Sequence, residues 1–159
     1  MPSDQVIGID LGGTAIKLAR FTAAGELLAE MEVPTPQPAV PGAVTIALCE
    51  AIEQLDPRGS ADRVGVGLPG PMDAAARVAR VCINLPGWEE VPLAEWLEVR
   101  LQRRVTLAND GNCAVVGEAW RGAAQGFSDV VLLTLGTGVG GGVLLGGRLF
   151  TGHNGAAAE

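Results

Sequence analysis

Asn109 and Asp110, a carboxamide followed by a carboxylate, are the side chains around which we expect the chemistry of this chain to be arranged. A β-like apolar run from Val105 to Ala108 leads into them, and a helical pattern begins at Ala114. Asp110 therefore stands where a strand gives way to a helix, a position at which α/β proteins often bind ligands. The alternative is that Asp110 only caps the helix, because Asp accepts hydrogen bonds from a first helical turn.

A second polar group lies near the N-terminus. The apolar run Gln5 to Asp10 is followed by Leu11 to Thr14 and then by another β-like segment, which predicts a β-hairpin with a glycine-rich turn. Glycines such as Gly12 and Gly13 permit positive φ and leave N–H groups uncovered, so the turn can approach a phosphate. Asp10 can hold a magnesium ion directly or through water. The alternative is that the glycines only make a tight turn.

A similar arrangement recurs late in the chain. Ser128 to Leu135 is strongly β-prone, a glycine-rich segment follows, and a further strand pattern begins at Val143. Two glycine sets fit the dinucleotide-binding spacing G-x-G-x-x-G, but neither is followed by the helix that this fingerprint requires. These sets are Gly65, Gly67 and Gly70, and Gly136, Gly138 and Gly141. We therefore reject the dinucleotide fingerprint at both places. The glycine-rich turns of the early and the late hairpin are interpreted as phosphate-type turns.

The segments between the two hairpins alternate strand and helix patterns, which places the chain in the α/β class. Helices are predicted from Gly42 to just before Asp56, from Pro92 with Leu93, Trp96, Leu97 and Leu101 on one face, and after Asp110 to about Ala123. Strands are predicted at Leu27 to Val33, Arg63 to Leu68 and Arg77 to Ile83. The loop from Asn84 to Trp88 offers an amide and an indole, either as a sugar or base platform or as ordinary packing.

Composition describes a globular protein of one ordinary domain. The chain has 159 residues, 48% of them apolar, with a mean hydropathy of +0.30. Its net charge of −7, with Lys17 the only lysine, argues against a nucleic-acid surface. No leader pattern and no run of membrane-spanning length is seen, so we expect no membrane partner and a cytoplasmic location.

The cysteines and the histidine give weaker signals. Cys49, Cys82 and Cys113 are odd in number and widely spaced, so we expect reduced, buried thiols rather than a disulfide or zinc framework. His153 is the only histidine, and a lone histidine is more often structural than catalytic.

Five motifs, in this order, resemble the ROK family of sugar kinases and repressors, and most closely its glucokinase-type members. They are GIDLGGTAIKLA, GVGLPGPMD, NLPGW, LANDGNCAVVGEAW and LTLGTGVGGGVLLGGRLFTGHNGAAAE. Each motif is weak alone, but together they cover nearly the whole chain. The resemblance implies an actin-like ATPase (ribonuclease H-like) fold, in which mixed sheets are flanked by helices and the active site lies between two domains. Residues 1–123 would form the N-terminal domain, and residues 124–159 would be the opening strands of a truncated second domain.

The resemblance also implies site residues and ligands. The phosphates and magnesium of ATP would be held by Asp10, Gly12, Gly13, Thr14, Thr137 and Gly138, with Asp10 as the magnesium residue. The hexose hydroxyls would be held by Asn84, Asn109, Asp110 and Glu159. Asp110 would be the general base that takes the proton from the primary hydroxyl of the sugar, which is expected to be glucose.

The chain departs from the family pattern at its end. The family's sugar-contacting histidine, its cysteine-rich zinc motif and most of its second domain would follow Glu159, so this chain is expected to be an incomplete, inactive portion whose full-length form is a homo-oligomer. Zinc is implied for the family but not by this chain. Two alternatives stay open: a non-catalytic sugar-binding regulator of the same family, and an inactive remnant.

Overall fold

The computed structural model describes residues 4–82, 84–135, 139–153 and 157–158. Its strands are β1 (Gln5–Leu11), β2 (Ala15–Thr22), β3 (Leu27–Pro34), β4 (Arg63–Leu68), β5 (Ala79–Val81), β6 (Glu89–Val91), β7 (Arg104–Asn109), β8 (Val130–Leu135), β9 (Val139–Leu145) and β10 (Arg148–Leu149). Its helices are α1 (Pro41–Leu55), α2 (Leu93–Leu101) and α3 (Asp110–Arg121).

The main sheet is mixed and five-stranded, with the strand order β3-β2-β1-β4-β7. β1 and β2 form the predicted first hairpin, β3 pairs antiparallel with β2, and β1, β4 and β7 run parallel. Alternate residues of β1, namely Ile7, Ile9 and Leu11, are buried on one face, as the two-residue period of a strand requires. The parallel strands therefore bring their carboxyl ends to one edge of the sheet.

Helices α1 and α2 connect β3 to β4 and β4 to β7, and both pack on the face that holds the main core. The apolar stripe of α1 is buried along its length through Val44, Leu48 and Ile52, which follow a helical period. α1 ends at Leu55, directly before Asp56 and Pro57, as the breaker cluster predicts. No helix in the described ranges is long and apolar enough to cross a bilayer.

Helix α3 lies on the opposite face of the main sheet. A Cβ added at Gly67 of β4 would meet Cys113 Sγ at 3.4 Å and Asp110 Cα at 3.8 Å, so the first turn of α3 crosses close above β4. α3 also contacts a separate three-stranded sheet with the order β10-β9-β8. The predicted late hairpin is present, because β8 and β9 pair antiparallel with Leu135 opposite Val139.

Several element boundaries differ from those predicted. The strand expected over Arg77 to Ile83 is confined, in the described residues, to β5, and its antiparallel partner β6 was missed. β6 carries two glutamates and has no apolar alternation, so periodicity cannot detect it. α3 ends at Arg121, slightly earlier than predicted.

Two side chains differ from their predicted burial. Trp96 is 39% exposed, and Ala94 takes its place on the buried face of α2 beside Leu93 and Leu97. Cys113 is exposed, whereas Cys49 and Cys82 are buried free thiols as expected. The Trp96 error arises because spacing places a residue near a helical stripe about 100° wide without fixing its exact direction. The Cys113 error arises because the number of cysteines carries no information on burial.

Candidate active site at the carboxyl ends of β1, β4 and β7

The three parallel strands place the predicted polar groups at one edge of the main sheet. In the sheet register Asp10 of β1 lies opposite Gly67 of β4, and Gly67 lies opposite Ala108 of β7. Asn109 ends β7 and Asp110 opens α3. The strand-to-helix junction predicted from sequence therefore lies at the same edge of the sheet as the end of β1, with β4 between them.

The first turn of α3 is capped by Asn109 and not by Asp110. The Asn109 Oδ1 accepts a hydrogen bond from the backbone N–H of Asn112 at 2.9 Å. Asp110 occupies the first helical position, where its Oδ1 accepts from the backbone N–H of Gly111 at 2.7 Å. Interpreting Asp110 as the helix cap is therefore wrong, and its second carboxylate oxygen is not used in capping.

Asp10 and Asp110 are close enough to influence each other electrostatically. Burial raises the pKa of the Asp10 carboxyl, the negative charge of Asp110 raises it further, and Lys17 on the neighbouring strand lowers it in part. Gly67 lies between them, since a Cβ there would be 3.8 Å from Asp110 Cα. Two carboxylates that repel each other favour a cation or a proton nearby.

The glycine-rich turn between β1 and β2 is held by the segment after β3. Thr35 Oγ1 donates to Gly12 O at 2.7 Å, and Gln37 Nε2 donates to Gly13 O at 3.0 Å. The described residues include no acceptor for the backbone N–H groups of Gly13 and Thr14, and both residues are exposed. The turn therefore presents N–H groups toward solvent, as an anion-binding turn must.

The glycines of this turn act by close approach and not by unusual φ. Neither Gly12 nor Gly13 has a positive φ, so the expectation that they supply one is wrong. A Cβ at Gly12 would lie 2.9 Å from Ala15 O, whereas one at Gly13 would meet no atom within 4 Å. Gly12 is thus required by packing, and Gly13 keeps the outer surface of the turn open.

A cavity of about 590 Å³ opens beside Asn109. Its walls combine apolar side chains with hydrogen-bonding groups from four separate parts of the chain. The polar lining residues are Asp73, Arg80, Asn109, Asn112, Thr151 and His153. An apolar cavity with a few fixed polar groups is the usual form of a small-molecule site.

The loop that forms one wall of this cavity is held by Asp73. Its carboxylate accepts hydrogen bonds from the backbone N–H groups of Val78, Arg77 and Ala75, with the two shortest at 2.6 and 2.7 Å. These bonds, that from Val78 first, lower the pKa of Asp73 despite an opposing contribution from burial. Asp73 therefore fixes the loop and stays ionised.

The remaining predicted site residues do not line the described cavity or lie outside the described residues. Asn84 is exposed in the turn after β5 and does not line the cavity beside Asn109. Thr137, Gly138 and Glu159 lie outside the described residues. Trp88 is not a platform for a ligand, because it is 1% exposed and its indole N–H donates to Ala39 O at 2.8 Å within the core.

Sequence reasoning missed four of the cavity residues as site candidates: Asp73, Arg80, Asn112 and Thr151. Asp73 belongs to a motif that was noticed, GVGLPGPMD, and Asn112 lies three residues after Asn109 in another. His153 was noticed but interpreted as structural, whereas it lines the cavity. Among the described residues, no three His, Cys, Asp or Glu side chains are grouped to hold a metal ion.

Comparison with known proteins identifies the relatives of this arrangement. The chain is 38% identical to the glucokinase of Thermotoga maritima over 159 residues, which cover 100% of this chain and 50% of that protein. It is 40% identical over 148 residues to an N-acetyl-D-glucosamine kinase of Salmonella newport, covering 92% of this chain and 48% of the relative.

Solved structures give the same result. A ROK family glucokinase from Streptomyces griseus, in complex with glucose and AMPPNP, superposes with a TM-score of 0.90 at 35% identity, covering 98% of this chain and 49% of that one. The chain thus spans about half the length of the relatives it matches. The sequence pattern of the ROK family matches this chain over residues 6–159. By this match and by its similarity to these relatives, the chain belongs to the ROK family.

Proposed function

We propose that the native protein is a sugar kinase that transfers the γ-phosphoryl group of ATP to the primary hydroxyl of a hexose, with glucose as the first candidate. The observation that carries the proposal is the position of Asp110. It is the chain neighbour of Asn109, which lines the cavity, and it acts electrostatically on Asp10 at the glycine-rich turn. A carboxylate between a hydroxyl-binding cavity and an anion-binding turn suits phosphoryl transfer to an alcohol.

In the proposed reaction Asp110 accepts the proton of the primary hydroxyl while the hydroxyl oxygen attacks the γ-phosphorus. A new oxygen–phosphorus bond forms, the bond between the γ-phosphorus and the β,γ-bridging oxygen breaks, and ADP leaves with that oxygen. The protein contributes mainly by positioning the two reactants and by stabilising charge. The cavity walls beside Asn109 would hold the ring hydroxyls.

The residues around the turn suit a magnesium nucleotide. Carboxylate oxygens are the ligands that Mg²⁺ prefers, and it commonly takes one or two of them beside substrate phosphates. Asp10 would hold the ion, and the N–H groups of Gly13 and Thr14 would hold phosphate oxygens. When bound, magnesium neutralises charge on the phosphates. Burial and then the charge of Asp110 raise the pKa of Asp10, and a cation held beside the carboxylate would offset both effects.

Four further residues belong to the proposal. Thr137 and Gly138, which follow β8 in the chain, would hold phosphates, and Glu159 and Asn84 would hold sugar hydroxyls. We also propose a homo-oligomer for the native protein. The relatives support a sugar substrate, since two are a glucokinase and an N-acetyl-D-glucosamine kinase.

The proposal is tested by incubating the native protein with ATP, magnesium and glucose, and in parallel with 6-deoxyglucose. We expect glucose 6-phosphate and ADP in equal amounts from glucose, and no phosphorylated product from 6-deoxyglucose, which lacks the accepting hydroxyl. Binding of glucose without any ATP turnover would contradict the kinase and favour a non-catalytic sugar-binding regulator. Phosphorylation of another hexose alone would retain the kinase and replace glucose as its substrate.

A further inference from the structure

Asn112 carries a buried polar atom without a hydrogen-bond partner in the part of the chain that the structure describes. The residue is 6% exposed on the first turn of α3, and the unpartnered atom is its Oδ1. Its backbone N–H is used by the Asn109 cap, but the side chain takes no part in that cap. A buried carbonyl oxygen without a partner costs about 1–3 kcal/mol, so its retention calls for a reason outside the folded chain.

The surroundings of Asn112 indicate what that reason is. The side chain lines the same cavity as Asn109, together with Asp73, Thr151 and His153. An amide oxygen can only accept a hydrogen bond, so the partner it lacks is a donor. Hydroxyl groups of a sugar are such donors, and the cavity is where the proposed function places the sugar.

We propose that Asn112 is a specificity-determining residue whose carboxamide accepts a hydrogen bond from one ring hydroxyl of the hexose. This inference rests on the proposed sugar site, and it assigns a role to a residue three positions beyond Asn109. Asn112 is one of the residues that line the cavity, so in the proposed complex its carboxamide would turn about the Cβ–Cγ bond to bring Oδ1 to the sugar. The pairing satisfies the orphaned acceptor and selects sugars that carry the hydroxyl, since a partner lacking it leaves the oxygen unpaired.

The test measures glucose affinity of the native protein and of Asn112→Ala, and repeats both with 1-, 2-, 3- and 4-deoxyglucose. We expect Asn112→Ala to weaken glucose binding roughly 5- to 150-fold. For one monodeoxyglucose the two proteins should bind equally, because the hydroxyl that Asn112 contacts is already missing. An equal loss for glucose and for every deoxy sugar would overturn the inference, since it would show an effect on the fold alone.

Two further variants keep the test decisive. Val116→Ala changes an exposed residue on the same helix and is expected to leave every affinity unchanged. Asn112→Asp keeps an acceptor oxygen, so it should bind glucose more tightly than Asn112→Ala, and a loss as large as that of alanine would count against the hydrogen bond. If the native protein binds no hexose, the proposed function itself fails, and this inference fails with it.

Discussion

Asp10, Asp110 and Cys113 share one electrostatic environment at the start of α3. The Cys113 residue is exposed, but its thiol is turned toward β4, 3.4 Å from where a Cβ of residue 67 would lie. Partial burial of that thiol raises its pKa, and the charges of Asp110 and Asp10 raise it further. The thiol therefore reports on the two carboxylates independently of any activity.

Replacing Asp110 by Asn should make Cys113 more reactive. Loss of a negative charge lowers the pKa of the thiol, so more thiolate is present at pH 8 and alkylation should be severalfold faster. The rate is measured with iodoacetamide by mass spectrometry of the peptide that contains Cys113. Asp4→Asn, at the opposite end of β1, is the control and should leave the rate unchanged. An unchanged rate in Asp110→Asn would place its carboxylate away from the thiol.

Asp10, Asn109 and Asp110 could be chosen as site candidates from the sequence, because each follows an apolar run that ends at a turn or helix. The structure places them at one edge of the main sheet, and their chemical roles stay a prediction. The capping residue could not be assigned, since Asn and Asp are equally good caps and only backbone geometry separates them. Asn112, with no distinguishing pattern, became a candidate only through its burial and its cavity.

Glycines set the position of α3 among the elements. A Cβ at Gly111 would lie 2.1 Å from Gly141 O, and one at Gly142 would lie 2.5 Å from Val115 Cγ1. α3 and β9 therefore meet backbone to backbone, while the same helix lies over Gly67 of β4 at ordinary contact distance. Because Asp110 is adjacent to Gly111, this packing fixes the carboxylate between the main sheet and the β8–β9–β10 sheet.

Gly111→Ala should destabilise the protein by about 1–3 kcal/mol, because the added methyl group has no room beside β9. Gly117→Ala on the same helix is the matched control. Its methyl group would meet no atom within 4 Å, so we expect stabilisation by about 0.4–1 kcal/mol. Both effects can be measured as shifts of the urea unfolding midpoint. If Gly111→Ala were as harmless as Gly117→Ala, the close packing of α3 on β9 would be wrong.

A buried ionic network joins the loop after α1 to β2 and to the segment before β7. Asp56 accepts from Arg20 at 2.7 Å and from Arg103 at 2.9 Å, and its side chain is fully buried. Burial opposes ionisation of Asp56, but hydrogen bonds from the backbone of Ala61 and Ser60 and from Arg20 outweigh it and lower its pKa. The carboxylate thus ties β2, the loop and the segment before β7 together.

Asp56→Ala should reduce the free energy of unfolding by about 3–5 kcal/mol, since it leaves two largely buried arginines without their anion. Arg63→Ala serves as the control, because Arg63 is 59% exposed and lies 3.9 Å from Asp62. Such surface pairs contribute about 0–1 kcal/mol. Similar losses in the two variants would show that the Asp56 network is no stronger than a surface pair.

The stability contributed by Asp56 should also depend on pH. Its pKa is lowered by folding, so its contribution is present above the usual range of an aspartate and is lost as the pH falls through the lowered value. We expect the stability difference between the native protein and Asp56→Ala to shrink on acidification. A difference that stays constant down to acid unfolding would contradict the ionised network.

The elements were predicted where periodicity was strong and missed where it was weak. α1 has a long apolar stripe and ends at a breaker cluster, so both its face and its end follow from the sequence. β6 is too short and too acidic to alternate, and tertiary pairing with β5 alone makes it a strand. Trp96 shows that spacing places a residue near a helix face without deciding whether neighbours cover it.

The whole molecule presents one broad apolar surface on the outer face of the β8–β9–β10 sheet. Val131, Leu133, Leu135 and Val139 are all about 70–80% exposed in the described residues. Contiguous apolar surface of this kind favours association. This surface belongs to the part of the chain that we predicted to open a second domain, and the boundary near residue 123 remains a prediction.

The 159-residue chain by itself should therefore self-associate with rising concentration, and Leu133→Lys should reduce that association. Val99→Lys is the matched control, since Val99 has the same exposure of 68% but lies on α2. Sedimentation velocity gives the oligomer distribution of each protein. Equal distributions for the unchanged chain and Leu133→Lys would show that the sheet face does not drive association.

The actin-like ATPase fold followed from the order of motifs together with the family resemblance, whereas periodicity alone gave only the α/β class. What the sequence could not supply is the spatial convergence of Asp73, Thr151 and His153, which come from distant segments onto one cavity. Their convergence depends on the register of β1, β4 and β7 and on the position of α3, both of which are tertiary.

The central claim is that Asp110 is the general base of a sugar kinase, and it is tested most directly by the turnover of Asp110→Asn in the native protein. With saturating glucose and magnesium ATP, we predict a loss of about 10²- to 10⁴-fold in the phosphorylation rate, because the amide cannot accept the proton. Glucose affinity, measured by calorimetry on the same protein, should change only slightly. Turnover close to that of the native protein would contradict the assignment of Asp110 as the base.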